Sequence, residues 1–236
     1  MKKRIICISD THFPYQHRDT FAFLKAIRDE YDVNLATHVG DVCDNHYPSY
    51  HEKEAGCLGG SEEIKEARKA CQRLEELFPE LYISEGNHDI LPKRKANSAQ
   101  VPLEWVSDPN RVYGLEGGWQ WDSHHYVPYG DNLEFLLVHS VGANTRTNAT
   151  RYSHSSVQGH HHSEFCISYQ ADTATLRWSM SVGCLIDPHS PAFRYDKSNF
   201  TRRPILGCGI IIEQTPALVP MTLTKSGRWN KRLPTV

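Results

Sequence analysis

Apolar residues gather in short β-rich runs through the first third of the chain, and helical spacing takes over between them. Arg4 to Ser9 is one such run ending in polar residues, which suits a buried strand. From Phe21 to Tyr31 the apolar positions Phe21, Leu24, Ile27 and Tyr31 recur at helical spacing and predict an amphipathic helix. Leu35 to Val39 predicts a second strand, ended by Gly40-Asp41. Ser61 to Phe78 is the clearest helix, with Ser61 as expected N-cap, Glu62 and Glu63 in its first turn and Pro79 as its stop. Leu81 to Ser84 is a third strand running into Glu85-Gly86-Asn87. This β-α-β-α-β opening implies a parallel sheet with right-handed crossovers.

Later the pattern changes. Leu133 to Val138, Ser156 to Gln158, Phe165 to Tyr169, Thr175 to Ser181, Cys208 to Ile212 and Leu218 to Leu223 read as strands without long helices between them. Such a β-rich half predicts another sheet packed on the first. Asp89 to Gln120 has no clear period and is expected to contribute a substrate rim. No repeat, low-complexity tract or linker divides residues 1–236, so one domain is the expectation.

Composition narrows the classes. No run of about 18 apolar residues suggests a membrane span. The basic start Lys2-Lys3-Arg4 leads into only Ile5 to Ile8 before Ser9-Asp10, too short for a secretory signal, so a cytoplasmic first strand is expected. Seven scattered cysteines without a Cys-x-x-Cys pair predict reduced thiols rather than a disulfide framework or zinc knuckle. The formal charge of −2 argues neither for nor against nucleic acid, and the sequons at Asn148 and Asn199 mean little inside a cell. Fourteen histidines are the oddity.

Several of those histidines share strand ends with carboxylates. The first strand ends in Asp10-Thr11-His12, where groups two apart on an extended loop project the same way and can grip one cation. The second ends in Gly40-Asp41, followed by Asp44 and Asn45; the third in Gly86-Asn87-His88-Asp89; Leu133 to Val138 in His139. Finally Gln158-Gly159-His160-His161-His162 follows a short strand, and its alternate histidines can serve different metals. Each piece alone has an ordinary explanation as a turn, a polar loop or a surface cluster. Together, in this order and at the strand ends where open α/β sheets gather functional groups, they point to one site.

The set Asp10/His12, Gly40-Asp41/Asp44, Gly86-Asn87-His88-Asp89, His139 and Gly159-His160-x-His162 resembles the calcineurin-like metallophosphoesterase superfamily, in its small phage and prokaryotic form. The resemblance implies an α/β fold, a four-layer α/β/β/α sandwich with two packed mixed sheets flanked by helices. It implies that Asp10, His12 and His162 hold one divalent metal and Asn87, His139 and His160 a second, with Asp41 bridging both. His88 then stands beside the scissile phosphate as a non-ligand catalytic histidine, oriented by Asp44 or, alternatively, by Asp89. Oxygen and nitrogen donors suit Mn²⁺ first, with Fe, Zn²⁺ and Ni²⁺ as alternatives. A dinuclear centre activates water for in-line displacement at phosphorus.

Serine/threonine protein phosphatases of the superfamily carry Asp-Arg-Gly where this chain has Asp44-Asn45-His46, and Glu where it has Asp89. The missing arginine disfavours that branch, and a phosphodiesterase of nuclease or nucleotide type is the leading expectation. A phosphomonoesterase on a small molecule or phosphoprotein is the alternative, and a catalytically idle metal-binding scaffold the third reading. The stretch Asn45 to Lys53 has the flavour of small phage and prokaryotic members, which places the protein in a prokaryotic cell or a phage-infected host; His46, Tyr47 and His51 either reach substrate or pack the insert. Pro92-Lys93-Arg94-Lys95 and Arg151 either contact phosphates or form solvated faces. Trp105, Tyr113, Trp119, Trp121 and Tyr126 either stack bases or pack the core.

Overall fold

A computed structural model describes residues 2–50, 56–140, 145–171, 173–190, 193 and 203–236, without the side chains of 146–149. His51, Glu52, Lys53 and the Asn199 sequon lie outside the described residues, as does the Asn148 side chain.

The first sheet is built around β1 (Arg4–Ile8), with β2 (Leu35–His38) and β3 (Leu81–Ser84) parallel to it on one side. Alternation decides its two faces. Ile6, Ile8 and Ile83 point to α1 (Thr20–Glu30) and α2 (Gly60–Leu77), where Phe23, Leu24, Ile27, Ala67, Ala70 and Leu74 meet them. Ile5, Cys7 and Val39 point the other way, into a core shared with Phe135, Leu137, Val157, Met180 and Val182.

Those partners belong to the second sheet, ordered β5 (His124–Gly130), β6 (Leu133–Val138), β7 (Ser155–Gln158), β9 (Leu176–Val182), β8 (Phe165–Ala171). Helix α5 (Thr145–Tyr152) packs against β7, β8 and β9. The result is the expected α/β/β/α sandwich of two mixed sheets. Among the described residues no helix is long and apolar enough to cross a membrane.

Three features depart from the sequence pattern. β10 (Gly207–Ile212) and β11 (Thr215–Pro220) rejoin the first sheet, β10 running antiparallel to β1 with Ile5 opposite Ile211. Ile210 joins the helix-side core and Ile211 the inter-sheet core, so β10 needs cover on both faces and an interior place in the first sheet supplies it. The stretch without a clear period holds α3 (Leu91–Ser98), a single turn at Leu103–Trp105, α4 (Pro109–Tyr113) and β4 (Trp119–Asp122) beside β3. Ser61 is not the cap of α2; Gly59 is, with no side-chain bond, and the Glu63 carboxylate instead takes the N–H groups of His46 (2.6 Å) and Tyr47 (2.8 Å).

Candidate metal centre

The first loop leaves β1 as Ser9-Asp10-Thr11-His12 and is stitched to the loop after β2. Asp10 N–H donates to the Gly40 carbonyl (3.1 Å), His12 N–H to the Asp41 carbonyl (3.0 Å) and the Thr11 hydroxyl to the Val42 carbonyl (2.9 Å). Leu185, after β9, donates to the Asp10 carbonyl (3.0 Å). Asp10, His12, Asp41 and His160 all have left-handed backbones, with φ of 47°, 46°, 50° and 67°. Such conformations cost about 1–3 kcal/mol each and gather where geometry is held for function. Gly40, at φ 96°, lets three strand ends converge, because a Cβ there would lie 2.5 Å from the Ser84 carbonyl and 2.7 Å from His139 Nδ1.

Among the described residues three groups of donors result, of which one joins His12, Asp44 and His88 and the other two centre on Asp10 and Asp41. In the Asp10 group, His162 Nε2 lies 3.1 Å from Asp10 Oδ1, and His12 Nε2 lies 3.7 Å from the same oxygen. In the Asp41 group, His139 Nε2 lies 3.2 Å from Asp41 Oδ2 and 3.1 Å from Asn87 Oδ1, and His160 completes the group, its donor atom within 4.8 Å of those of Asp41 and His139. Asp41 Oδ2 is also 3.6 Å from His12 Nε2, so one carboxylate faces both of these groups.

Burial sharpens the point. Asp10, His12, Asp41 and His139 are almost wholly buried. Burial alone would push the carboxyls up, yet the contacts of Asp10 with His12 and His162, and of Asp41 with His139, hold both below the usual carboxylate range. Against the same opposition from burial, Asp10 and Asp44 hold His12 well above the usual imidazole value, and Asp41 lifts His139 to about 9. His160, by contrast, is lowered by burial and by the charge of His139.

The donor set fits divalent metal ions. His12 Nε2 is buried and has no hydrogen-bond partner among the described residues, although it points between two carboxylates. A cation there would satisfy an atom that the protein leaves bare. The other ring nitrogen, Nδ1, is taken by Asp44 Oδ1 at 2.7 Å, which fixes the tautomer. His139 Nδ1 is likewise taken by the Val39 carbonyl at 2.7 Å.

Asp44 meets both His12 and His88. Its carboxylate supports His12 and lies 3.6 Å from His88 Nδ1, whereas its backbone carbonyl approaches that nitrogen at 2.5 Å. Both the carbonyl and the carboxylate of Asp44 thus face His88, the carbonyl being the nearer. His88 N–H donates to Asp41 Oδ1 at 2.8 Å. Asp89 faces away, accepting from Val42 (3.1 Å), Cys43 (3.3 Å) and Gly86 (2.9 Å) N–H groups, and burial beside Asp41 raises it to about 7. It ties the two loops together.

Other expected contacts are dispersed. His46 is buried, while Tyr47 is 58% exposed. Arg151 sits on α5 with its guanidinium 5.6 Å from the Tyr152 ring. Trp119 and Tyr113 are core residues, and the Trp121 indole donates to Asn110. Trp105 and Tyr126 are exposed. Two supports escaped the sequence reading: the Ser9 hydroxyl donates to Asp10 Oδ2, and the Phe193 ring stands edge-on 5.3 Å from His12. Neither belongs to a motif, and Phe193 is remote along the chain. A cavity of about 760 Å³ is lined by Tyr129, Glu134, His154 and Arg177 rather than by the cluster.

Five converging strand ends that set histidines and carboxylates around one another, at the edge of a double-sheet sandwich, define a metallophosphoesterase architecture. Residues 3–180 match the profile of the calcineurin-like phosphoesterases, and the chain belongs to that family. No curated protein sequence matches it. Among solved structures, Vps29 from Chaetomium thermophilum shares the fold, with a TM-score of 0.54 and 10% identity over 100% of this chain and 96% of that one. A metallophosphoesterase from Sphaerobacter thermophilus aligns with a TM-score of 0.48 and 13% identity, covering 93% and 88%. The nuclease MPE from Pseudomonas putida aligns with a TM-score of 0.38 and 15% identity, covering 91% and 86%.

Proposed function

We propose that the protein is a metal-dependent phosphodiesterase whose centre holds two divalent ions, Mn²⁺ being the leading candidate. The observation that carries this reading is the single Asp41 carboxylate oxygen shared between His12 and His139, with His88 held directly beside it. Asp10, His12 and His162 would hold one ion and Asn87, His139 and His160 the other, with Asp41 between them. When bound, such a pair supplies an activated water and neutralises charge building on the phosphoryl oxygens.

The remaining work falls to the protein. With Nδ1 turned to the Asp44 carbonyl, His88 has Nε2 left to face substrate. As the imidazolium it can hand the Nε2 proton to the leaving oxygen while Nδ1–H stays on the carbonyl, a role worth about 10²–10⁴-fold. Asp44 keeps His12 in the tautomer that presents Nε2. Asn45 Nδ2 is committed to the His88 carbonyl (3.0 Å) and His46 is buried, so neither supplies the cationic clamp of the protein phosphatases. That favours a diester, which carries less charge on phosphorus than a monoester.

The test is turnover with Mn²⁺ of bis(p-nitrophenyl) phosphate against p-nitrophenyl phosphate, with His88→Ala and Asp41→Asn alongside. Diester cleavage lost in both variants supports the proposal. A preference for the monoester transfers it to a phosphomonoesterase, and metal binding without turnover to a scaffold.

A further inference from the structure

Beside the metal cluster, the segment after Asp44 and the helix after His88 meet and leave aromatic and cationic groups facing outward. The buried Glu63 carboxylate fixes the first segment by taking both the His46 and the Tyr47 N–H. The Tyr47 ring then lies on Gly60, where a Cβ would be 2.7 Å from the ring, so one face is pinned while the residue stays 58% exposed. Tyr50 is held in the same manner from α3: Lys95 Nζ sits 3.6 Å from its ring centroid, Arg94 lies 5.5 Å away, and its hydroxyl is 3.3 Å from Ser98 Oγ. Tyr50 is 57% exposed.

Both cations lean on the Tyr50 ring, but that contact leaves their charge unneutralised. Lys93 pairs with Glu85, but neither Arg94 nor Lys95 has a carboxylate partner among the described residues. Helix α3 starts three residues after His88, with Leu91 N–H on the His88 carbonyl at 3.2 Å. At a rise of 1.5 Å per residue, Lys95 stands roughly 6 Å along α3 from its start at Leu91, the end on the side of His88. Rings fixed on one face and otherwise exposed are stacking platforms that cost little entropy to use, and cations beside one of them without a carboxylate partner suit phosphates.

We propose that Tyr47, Tyr50, Arg94 and Lys95 bind single-stranded nucleic acid and lead its backbone to the metal cluster, an inference that rests on the diesterase reading. A single strand offers free base faces to the two tyrosines, whereas a duplex keeps them within its own stack. The charge is complementary to the anionic diester that the centre is proposed to cleave.

The test is fluorescence anisotropy of a labelled oligothymidylate with Mn²⁺ omitted to keep the strand intact. Tyr47→Ala with Tyr50→Ala is expected to weaken binding about 10–100-fold. Tyr47→Phe with Tyr50→Phe retains the rings and binds within about twofold of wild type. Arg94→Gln with Lys95→Gln lowers the slope of log affinity against log salt by roughly 1.4. Alanine variants that bind like wild type, or a duplex bound as tightly as the single strand, overturn the surface. Wild-type turnover of bis(p-nitrophenyl) phosphate is measured alongside. Turnover without strand binding removes the surface and leaves the diesterase; ring-dependent strand binding without turnover does the reverse.

Discussion

The two halves of the cluster are built to different standards. Asp10 and His12 are buried, His12 is backed by the Asp44 carboxylate, and the Asp10 oxygens are further engaged by Ser9 and by the His160 N–H (2.9 Å). On the other side His139 Nδ1 is backed by a backbone carbonyl, and His160 is exposed with the rings of His139 and His161 as its neighbours. Preorganised donors lose little freedom on binding, so under the proposed two-ion reading the Asp10 half is expected to hold its ion more tightly and the His160 half to exchange more readily. Asp41 belongs to both and should be the point at which the distinction disappears.

The largest effect is therefore expected from Asp41→Asn, which takes turnover to the buffer level and lowers metal content in both halves, read by elemental analysis after dialysis. His88→Ala comes next, with kcat reduced about 10²–10⁴-fold and metal content unchanged. A fall in metal content would instead make His88 a ligand. The comparison itself is sharpened by Asp44→Ala against His160→Ala. Losing the support of His12 should weaken the tighter site about 10–100-fold in calorimetric Mn²⁺ titrations. His160→Ala should weaken only the other site, and identical isotherms for the two variants would erase the asymmetry.

The mildest effect concerns pH. In the metal-free protein His139 is raised from 6.5 to about 9, so its contribution to stability is complete below about 6.5 and is lost as pH rises through about 9. Asp10 and Asp41 are held below their ordinary 3.8, so their contribution is present above that value and is lost as pH falls. The melting temperature of chelator-treated protein should thus decline between about pH 6.5 and 9, and Mn²⁺ loading should flatten the decline and release protons. Equal slopes with and without metal would contradict the ligand assignment of His139.

Much of this was legible in the chain because buried strands read as apolar runs and each functional group sat just beyond one. What escaped notice was set by distance or by edges. Trp119-Gln120-Trp121 and His124 to Gly130 mix polar and apolar positions because β4 and β5 are the edge strands of their sheets. β10 looked like any other strand, and only its pairing with residues some two hundred positions earlier assigns it to the first sheet. Asp44 was singled out by position in a motif, but which of its oxygens lies nearer His88 depends on the curvature of a loop.

That pairing has a further consequence. The carbonyl of Asp10 is held by Leu185, and β1 is flanked on its open side by β10. Pairings between such distant parts of the chain form slowly and late. A chain emerging from the ribosome would thus display Asp10 and His12, its earliest proposed ligands, long before they could retain an ion, so under that reading metal capture would mark the end of maturation.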